Sequence, residues 1–481
     1  MSEYLIQGET LTGIADAIRA KTGSSDAITV GEMATAIGSI TSGGSSAPVA
    51  EKEVNFYDYD GTLLYSYTVE EAQALTELPA GPEHPGLVFQ KWNWSLENVK
   101  ALTRAMNIGA LYTTDDGTTR LYIHLEEGRT SPMLGVCPNG TVTVDWGDGT
   151  TPDVLTGTST SAVQWTPNHE YAAPGDYVIR LTVDGEMHFR GYTQYNLASF
   201  VLSHSESANN ANLAYCNAVR KIEVGSGVTA FEAHAFRCCR SLESISVCDA
   251  VATIGEQSFE ECYSLKHVVI PSKVTSISKR TFYSCFSLEH FSASCNTVTW
   301  GESVFEDDSS LVSACFPDGV RIIPKYMFQD CYSLDRVSVP NNLEKITSYA
   351  FYNCYSLPYF VAPQSAVDIG DNSFCNCKSM SFVVLSDDMV NIPYNMFYYC
   401  YSLAGLRVPG GVPAINANTF GYCYGFRFCD FSRHAFVPTL SSTKAFDRTA
   451  PDLEIRVPAA LYDEWIAATN WSTYASRIVA V

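Results

Sequence analysis

Bulky apolar residues return at a fixed interval through the second half of the chain. Phe236, Phe259, Phe282, Phe305, Phe328, Phe351, Phe374, Phe397 and Phe420 lie 23 residues apart, and Leu213 extends the series back one step. Other columns keep the same phase. Three residues after each of these comes Cys216, Cys239, Cys262, Cys285, Cys331, Cys354, Cys377, Cys400 or Cys423, with Asp308 the one interruption. Six after comes Leu242, Leu265, Leu288, Leu311, Leu334, Leu357 or Leu403, and nine and eleven after come pairs such as Ile245/Val247 and Val268/Ile270. Five before stands another large apolar residue, from Phe231 and Ile254 to Ile392 and Ile415. An internal repeat of this length predicts a solenoid, in which stacked turns close a continuous core. Each pair nine and eleven after the Phe predicts a short strand, and stacked strands form a parallel sheet at about 4.8 Å per turn.

Upstream the period shortens to two. "RLYIHLE", "TVTVDWGDGT" and "GDYVIRLTV" within 111–192 alternate as half-buried strands do. In "VNFYDYDGTLLYSYT", Asp60-Gly61 between two alternating runs predicts a hairpin with a type I′ turn, pairing Phe56 with Tyr65 and Val54 with Tyr67. "VEEAQAL" and a segment near 95–107 read as helices. Leu11, Ile14 and Ile18, then Val30, Met33, Ile37 and Ile40, place two short helices in 1–40, the second behind a Thr29/Glu32 capping box. "TSGGSSAPVA" opens a linker.

The expected fold is mainly β and multidomain. It comprises a helical head (1–40), a linker (41–52), a small β module (53–110) and a β-sandwich (111–192). A leucine-rich-range solenoid (193–432) follows, then a degraded turn with a helical C-terminal cap (433–481).

Charge narrows the functions. Acids outnumber bases 52 to 30, a formal charge of −22, which disfavours nucleic acid and anionic membranes as partners. No apolar run is long enough to span a bilayer, and no basic leader with an apolar core opens the chain. Asp58-Tyr59-Asp60-Gly61-Thr62 spells the signature of haloacid-dehalogenase-type phosphatases, whose two aspartates would be nucleophile and acid. The β-rich "LLYSYT" stands where such an enzyme needs a helix, so the string reads as a hairpin. No nucleophile, base and orienting acid come together, and the expectation is no enzyme, no cofactor and no metal. The cysteine column reads as packing, since a buried Cys acts as a small apolar residue. Asp145, Asp148 and Asp153 read as turn acids before calcium ligands.

Four resemblances add to this reading. The pattern "AFxxCxSLxxIxVP" over 207–458 resembles the BspA-type leucine-rich repeat of bacterial and protozoan surface proteins, which implies adhesion or recognition. "YLIQGETLTGIADAIRAKTG" with "ITVGEMATAI" resembles N-terminal segments of phage and prophage tail-associated proteins. "VNFYDYDGTLL" with "LPAGPEHPGLVFQKW" resembles the internalin B-repeat, a β-grasp-like spacer. "WGDGT" with "HEYAAPGDYVIRLTV" resembles a PKD-type module, implying a core Trp146, a turn at Asp148-Gly149 and a packed Tyr171.

Outward strand positions vary between turns while core columns do not. His267, His290, Arg336, Tyr359, Val361, Phe382, Val384, Arg407 and Phe428 are therefore the candidate ligand-binding face. A second candidate is the column four after each Phe: Tyr263, Tyr332, Tyr355, Tyr401 and Tyr424, with Phe286. His267 and His290 read as surface histidines on adjacent turns. The expected function is a phage or prophage tail-tip protein in the virion, made in the host cytoplasm, binding a host-surface glycan or protein. Residues 1–40 would meet other tail or baseplate proteins, and homo-oligomerisation stays open. The alternative is a BspA-type adhesin, at the bacterial surface or secreted.

Overall fold

A computed structural model describes residues 53–481 except 115, 126, 128–130, 160, 193–196 and 203–212; the side chains of 189–192 and 197–202 are also outside the description. The expected helical head and linker lie outside the described residues.

The first unit is a four-stranded sheet with two short helices on it. Its strands are β1 (Val54–Tyr57), β2 (Leu63–Tyr67), β3 (Val88–Trp92) and β4 (Met106–Thr113), in the order β2-β1-β4-β3. The β1–β2 hairpin has the expected register, Phe56 with Tyr65 and Val54 with Tyr67. Its turn differs from the two-residue form. The register shifts after Phe56, the loop runs from Asp58 to Thr62, and only Gly61 of the loop has a positive φ, +92°. The Gly61 N–H donates to the Asp58 carbonyl at 3.1 Å, and the Asp58 N–H to that of Thr62 at 2.8 Å. This is the longer hairpin loop, ended by a glycine in the left-handed region. Helix α1 (Val69–Gln73) starts at a capping box, in which Thr68 Oγ1 accepts from the Glu71 N–H and Glu71 from the Thr68 N–H. Helix α2 (Leu96–Lys100) is shorter than the 95–107 expected, because β4 begins at Met106.

The second unit corrects an expectation. Strands β5 (Thr119–Leu125), β6 (Leu134–Asp145), β7 (Asp153–Thr158), β8 (Gln164–Trp165), β9 (Gly175–Tyr192) and β10 (Leu197–Leu202) hydrogen-bond into one sheet, where a sandwich needs two. The sheet does not end there. β10 pairs antiparallel with β5 and parallel with β11 (Lys221–Val224), the first strand of the solenoid. The antiparallel sheet thus runs directly into the parallel one and covers what would otherwise be an open edge. Trp146 and Tyr171 are buried as expected, the Tyr171 hydroxyl donating to the Trp146 carbonyl at 2.7 Å. Asp145, Asp148 and Asp153 accept from the Gly147 N–H, from Thr150 and from the Trp146 indole, as turn-fixing acids do.

From 221 the chain is a solenoid whose turns pair in parallel, 23 residues apart, as in His267 with His290 and Tyr359 with Phe382. The Phe column is a stack of rings from Phe236 to Phe446, with successive centroids 5.1–6.0 Å apart. Every Phe in it is buried. The opposite wall is held by a less ordinary device. Residues two before and two after each Phe from Phe236 to Phe420 take positive φ; around Phe351 these are Tyr349 at +61° and Asn353 at +62°. That geometry costs a side-chain-bearing residue roughly 1–2 kcal/mol. It also turns alternate N–H groups along the axis. Those of Tyr349, Phe351 and Asn353 donate to the carbonyls of Asp371, Ser373 and Cys375 in the next turn, at 2.8–3.0 Å.

At the C-terminus, helix α3 (Tyr462–Ala467) and the turn after it place Trp465, Trp471 and Tyr474 against Phe431 and Phe446. The Trp471 indole N–H donates to the Pro438 carbonyl at 2.7 Å. This is the expected cap. No helix among the described residues is long and apolar enough to cross a membrane.

Candidate functional site

The outward strand face is two surfaces. Strand β4 explains the first. All eight of its residues are buried, because it is covered on both sides. Met106, Ile108, Ala110 and Tyr112 belong to the core of the first unit. Asn107 and Gly109 face the solenoid. Asn107 Nδ2 donates to Ser313 Oγ at 3.3 Å, and a Cβ on Gly109 would lie 2.4 Å from Val269 Cγ2. The first unit therefore docks on the solenoid strands, over the turns that begin the candidate face.

The contact is specific in its polar groups. Asn93 is buried and its amide donates to the carbonyls of Ile270, Ser292 and Ala293, while its oxygen accepts from the Gly109 N–H at 2.9 Å. The Trp94 indole donates to the Ala293 carbonyl at 2.8 Å. Ion pairs close the rim, Lys91 with Asp249 at 2.7 Å and Arg104 with Asp318 at 2.6 Å. Tyr57 lies over both histidines, its ring centroid 4.8 Å from that of His290 and 5.3 Å from that of His267.

His267 and His290 are thus not surface histidines. His267 is fully buried, and burial, with the neighbouring His290 next, pushes its imidazole down to about 3. The hairpin loop is part of the same contact, since a Cβ on Gly61 would lie 3.0 Å from the Cβ of His267. The two aspartates of the phosphatase-like string are otherwise engaged. Asp58 is buried and accepts from the Tyr112 hydroxyl and the Tyr59 N–H, with His84 Nε2 2.8 Å from its other oxygen. Asp60 accepts from the Thr62 N–H.

Cover by the first unit ends near Arg336, where Ser338 Oγ still meets the Ala105 carbonyl and Arg104. Beyond it the face is open. Tyr359, Val361, Phe382, Val384, Arg407 and Phe428 are all part-exposed on consecutive turns. Asp387 accepts from both Arg407 and Arg433, at 2.9 and 3.2 Å, and the Arg456 guanidinium sits over the Phe428 ring.

The tyrosine column lies elsewhere, at the turns, and its rings stack on one another. Tyr263 and Phe286 are 4.8 Å apart, Tyr332 and Tyr355 also 4.8 Å, and Tyr401 and Tyr424 5.3 Å. Stacking takes up one face of each ring, while Phe286, Tyr332, Tyr401 and Tyr424 stay exposed. A separate polar groove of about 870 Å³ runs along the second line of short strands, past Arg321, Lys345 and Asp368, with Lys345 and Asp368 paired at 2.6 Å. Among the described residues no group of His, Cys, Asp and Glu could hold a metal ion.

Against known families, residues 188–312 and 300–427 match the BspA type leucine rich repeat region, in six copies. Residues 188–427 are a BspA-type leucine-rich repeat region. No curated protein matches the chain. Among solved structures, a leucine-rich cell surface protein from Faecalibacterium prausnitzii is similar at 20% identity, over 55% of this chain and 83% of that one, with a TM-score of 0.34. A leucine-rich repeat protein from Bacteroides ovatus is 19% identical over 62% and 96%, with a TM-score of 0.36. The pneumococcal vaccine antigen PcpA is 12% identical over 59% and 83%, at 0.26. A repeat fold does not by itself name a ligand or an activity. In this BspA-type solenoid the docked first unit is what the sequence reading missed. Its signal lay in β4, a run buried on both faces, and in the small Gly109 within it.

Proposed function

We propose that the protein is a recognition protein of the BspA surface type, which binds a partner through the open half of its solenoid strand face. The observation that carries this is the division of that face. Its first half already binds a folded unit, by aromatic stacking and by amides aimed at strand carbonyls. Its second half offers Tyr359, Val361, Phe382, Val384 and Phe428 in line, with Arg407 beside them. Adjacent apolar side chains left in water on consecutive turns are the composition of a contact surface. That one similar structure is described as a cell surface protein fits a surface adhesin.

The test is the double variant Tyr359→Ser/Phe382→Ser, assayed for adsorption to bacterial and host cell surfaces. Adsorption should fall at least tenfold with melting temperature unchanged, since each side chain is part-exposed and outside the core. Full adsorption would move the site off this face. The tail-tip reading rests on the likeness of residues 1–40 to tail-associated segments. Recovery of the protein with purified phage particles would favour it over the adhesin.

A further inference from the structure

The column four residues after each Phe is a ladder with one missing step. In order along the axis it reads Arg240, Tyr263, Phe286, Ser309, Tyr332, Tyr355, Lys378, Tyr401 and Tyr424. The rings pair across adjacent turns, and where the series leaves the aromatic type a cation takes its place. The Arg240 guanidinium lies 5.1 Å from the Tyr263 centroid and the Lys378 ammonium 3.6 Å from that of Tyr355. Two aromatic pairs thus each carry a cation on one outer face. Their other outer faces, those of Phe286 and Tyr332, look toward each other across Ser309, whose side chain is too short to fill the turn. Both rings are exposed, at 43% and 40%, as are Tyr401 and Tyr424 further along the column.

The width of this gap follows from the ladder. Neighbouring rings are 4.8 Å apart, so skipping one turn leaves Phe286 and Tyr332 roughly 10 Å apart. A cation at the middle would be about 5 Å from both centroids, within the ~6 Å range of a cation–π contact. The local charge favours a cation. Asp307 and Asp330 stand near Tyr332, Asp330 accepting from the Tyr332 hydroxyl at 3.3 Å and from the Asn353 amide. Neither carboxylate has an ion-pair partner among the described residues.

We propose that the Ser309 gap binds a lysine or arginine side chain of a basic polypeptide partner, clamped between the rings of Phe286 and Tyr332. The protein shows the same recognition within itself, at Lys378 on Tyr355 and at Arg240 on Tyr263. This site is separate from the open strand face, so its failure would leave that reading intact.

The test uses the full chain and a decalysine peptide, with a neutral Gly-Ser peptide and a neutral glycan array as comparisons. Decalysine should bind, and Ser309→Lys should weaken it about tenfold by filling the gap from within. Phe286→Leu and Tyr332→Leu should each weaken it similarly, and Ser309→Ala should leave it within twofold. Ser161→Lys adds the same charge at a distant exposed turn and should also leave it within twofold. Equal losses with Ser309→Lys and Ser161→Lys would reduce the binding to net charge and overturn the proposal. So would undiminished binding by Ser309→Lys, or a preference for a neutral glycan that Ser309→Lys abolishes.

Discussion

From Cys239 on, each cysteine of the repeated column does more than fill space. Its thiol donates to the carbonyl of the residue 26 positions earlier, as Cys354 does to Phe328 and Cys377 to Phe351, both at 3.2 Å. The same bond recurs at Cys239, Cys262, Cys285, Cys331, Cys400 and Cys423. A small apolar side chain with a weak donor meets both needs of the site, which explains why Cys holds it. Asp308 shows what a substitution there brings. It is fully buried, takes the Cys285 N–H on one oxygen at 2.7 Å, and burial holds its carboxyl well above the usual range. An acid whose folded pKa is raised contributes full stability below its unfolded value near 3.8 and loses it as pH rises through the folded one. Asp308→Cys should therefore stabilise the protein at neutral pH, by about 1–3 kcal/mol. Denaturant titrations from pH 4 upward should show the gain growing with pH. A gain independent of pH would mean that the carboxyl is not buried.

Strand β4 is the element on which the docked arrangement turns, because one edge of its alternation builds a core and the other meets the solenoid. Gly109→Val should force the two apart, since even a Cβ there lies 2.4 Å from Val269. The expected result is rapid proteolysis within 53–113 while the solenoid stays resistant, with stability reduced by about 1–3 kcal/mol. Acid should act on the same contact. His267, held near 3 beneath Tyr57 and beside His290, Ser292 and Asp60, stays neutral in the folded protein. A base whose folded pKa is lowered contributes stability above its unfolded value of 6.5 and loses it as pH falls. Between 6.5 and about 3 the loss should approach the one-proton slope of about 1.4 kcal/mol per pH unit. His267→Gln should flatten that slope in hydrogen exchange of β4. The hairpin register and the turn acids were legible in the sequence because each is set by residues a few positions apart. The docking was not. Asn93 and Ile270 meet across 177 residues, and no local period carries such a pairing. The face of His267 and His290 was located correctly, but what covers it depends on contacts between units.

Across the whole molecule, one core runs from Leu121 of the second unit to Ile478 of the cap. Its centre is the ring stack, in which Phe328 lies between Phe305 and Phe351 at 5.6 and 5.3 Å. Phe328→Ala should cost about 3–5 kcal/mol, read as a lowered melting midpoint in circular dichroism. A neutral result would displace the stack from the core. The solenoid was readable from sequence because its repeat multiplies every signal by the number of turns. The second unit, met once, offered its strands but not their joining to β11 through β10.

That joining has a mechanical meaning. A load applied between residue 53 and the C-terminus enters through β1, and the docked unit resists it by side-chain contacts alongside the chain that leads to β5. Breaking those contacts would lengthen the molecule without opening the ladder of turns, which backbone hydrogen bonds between neighbouring turns hold shut.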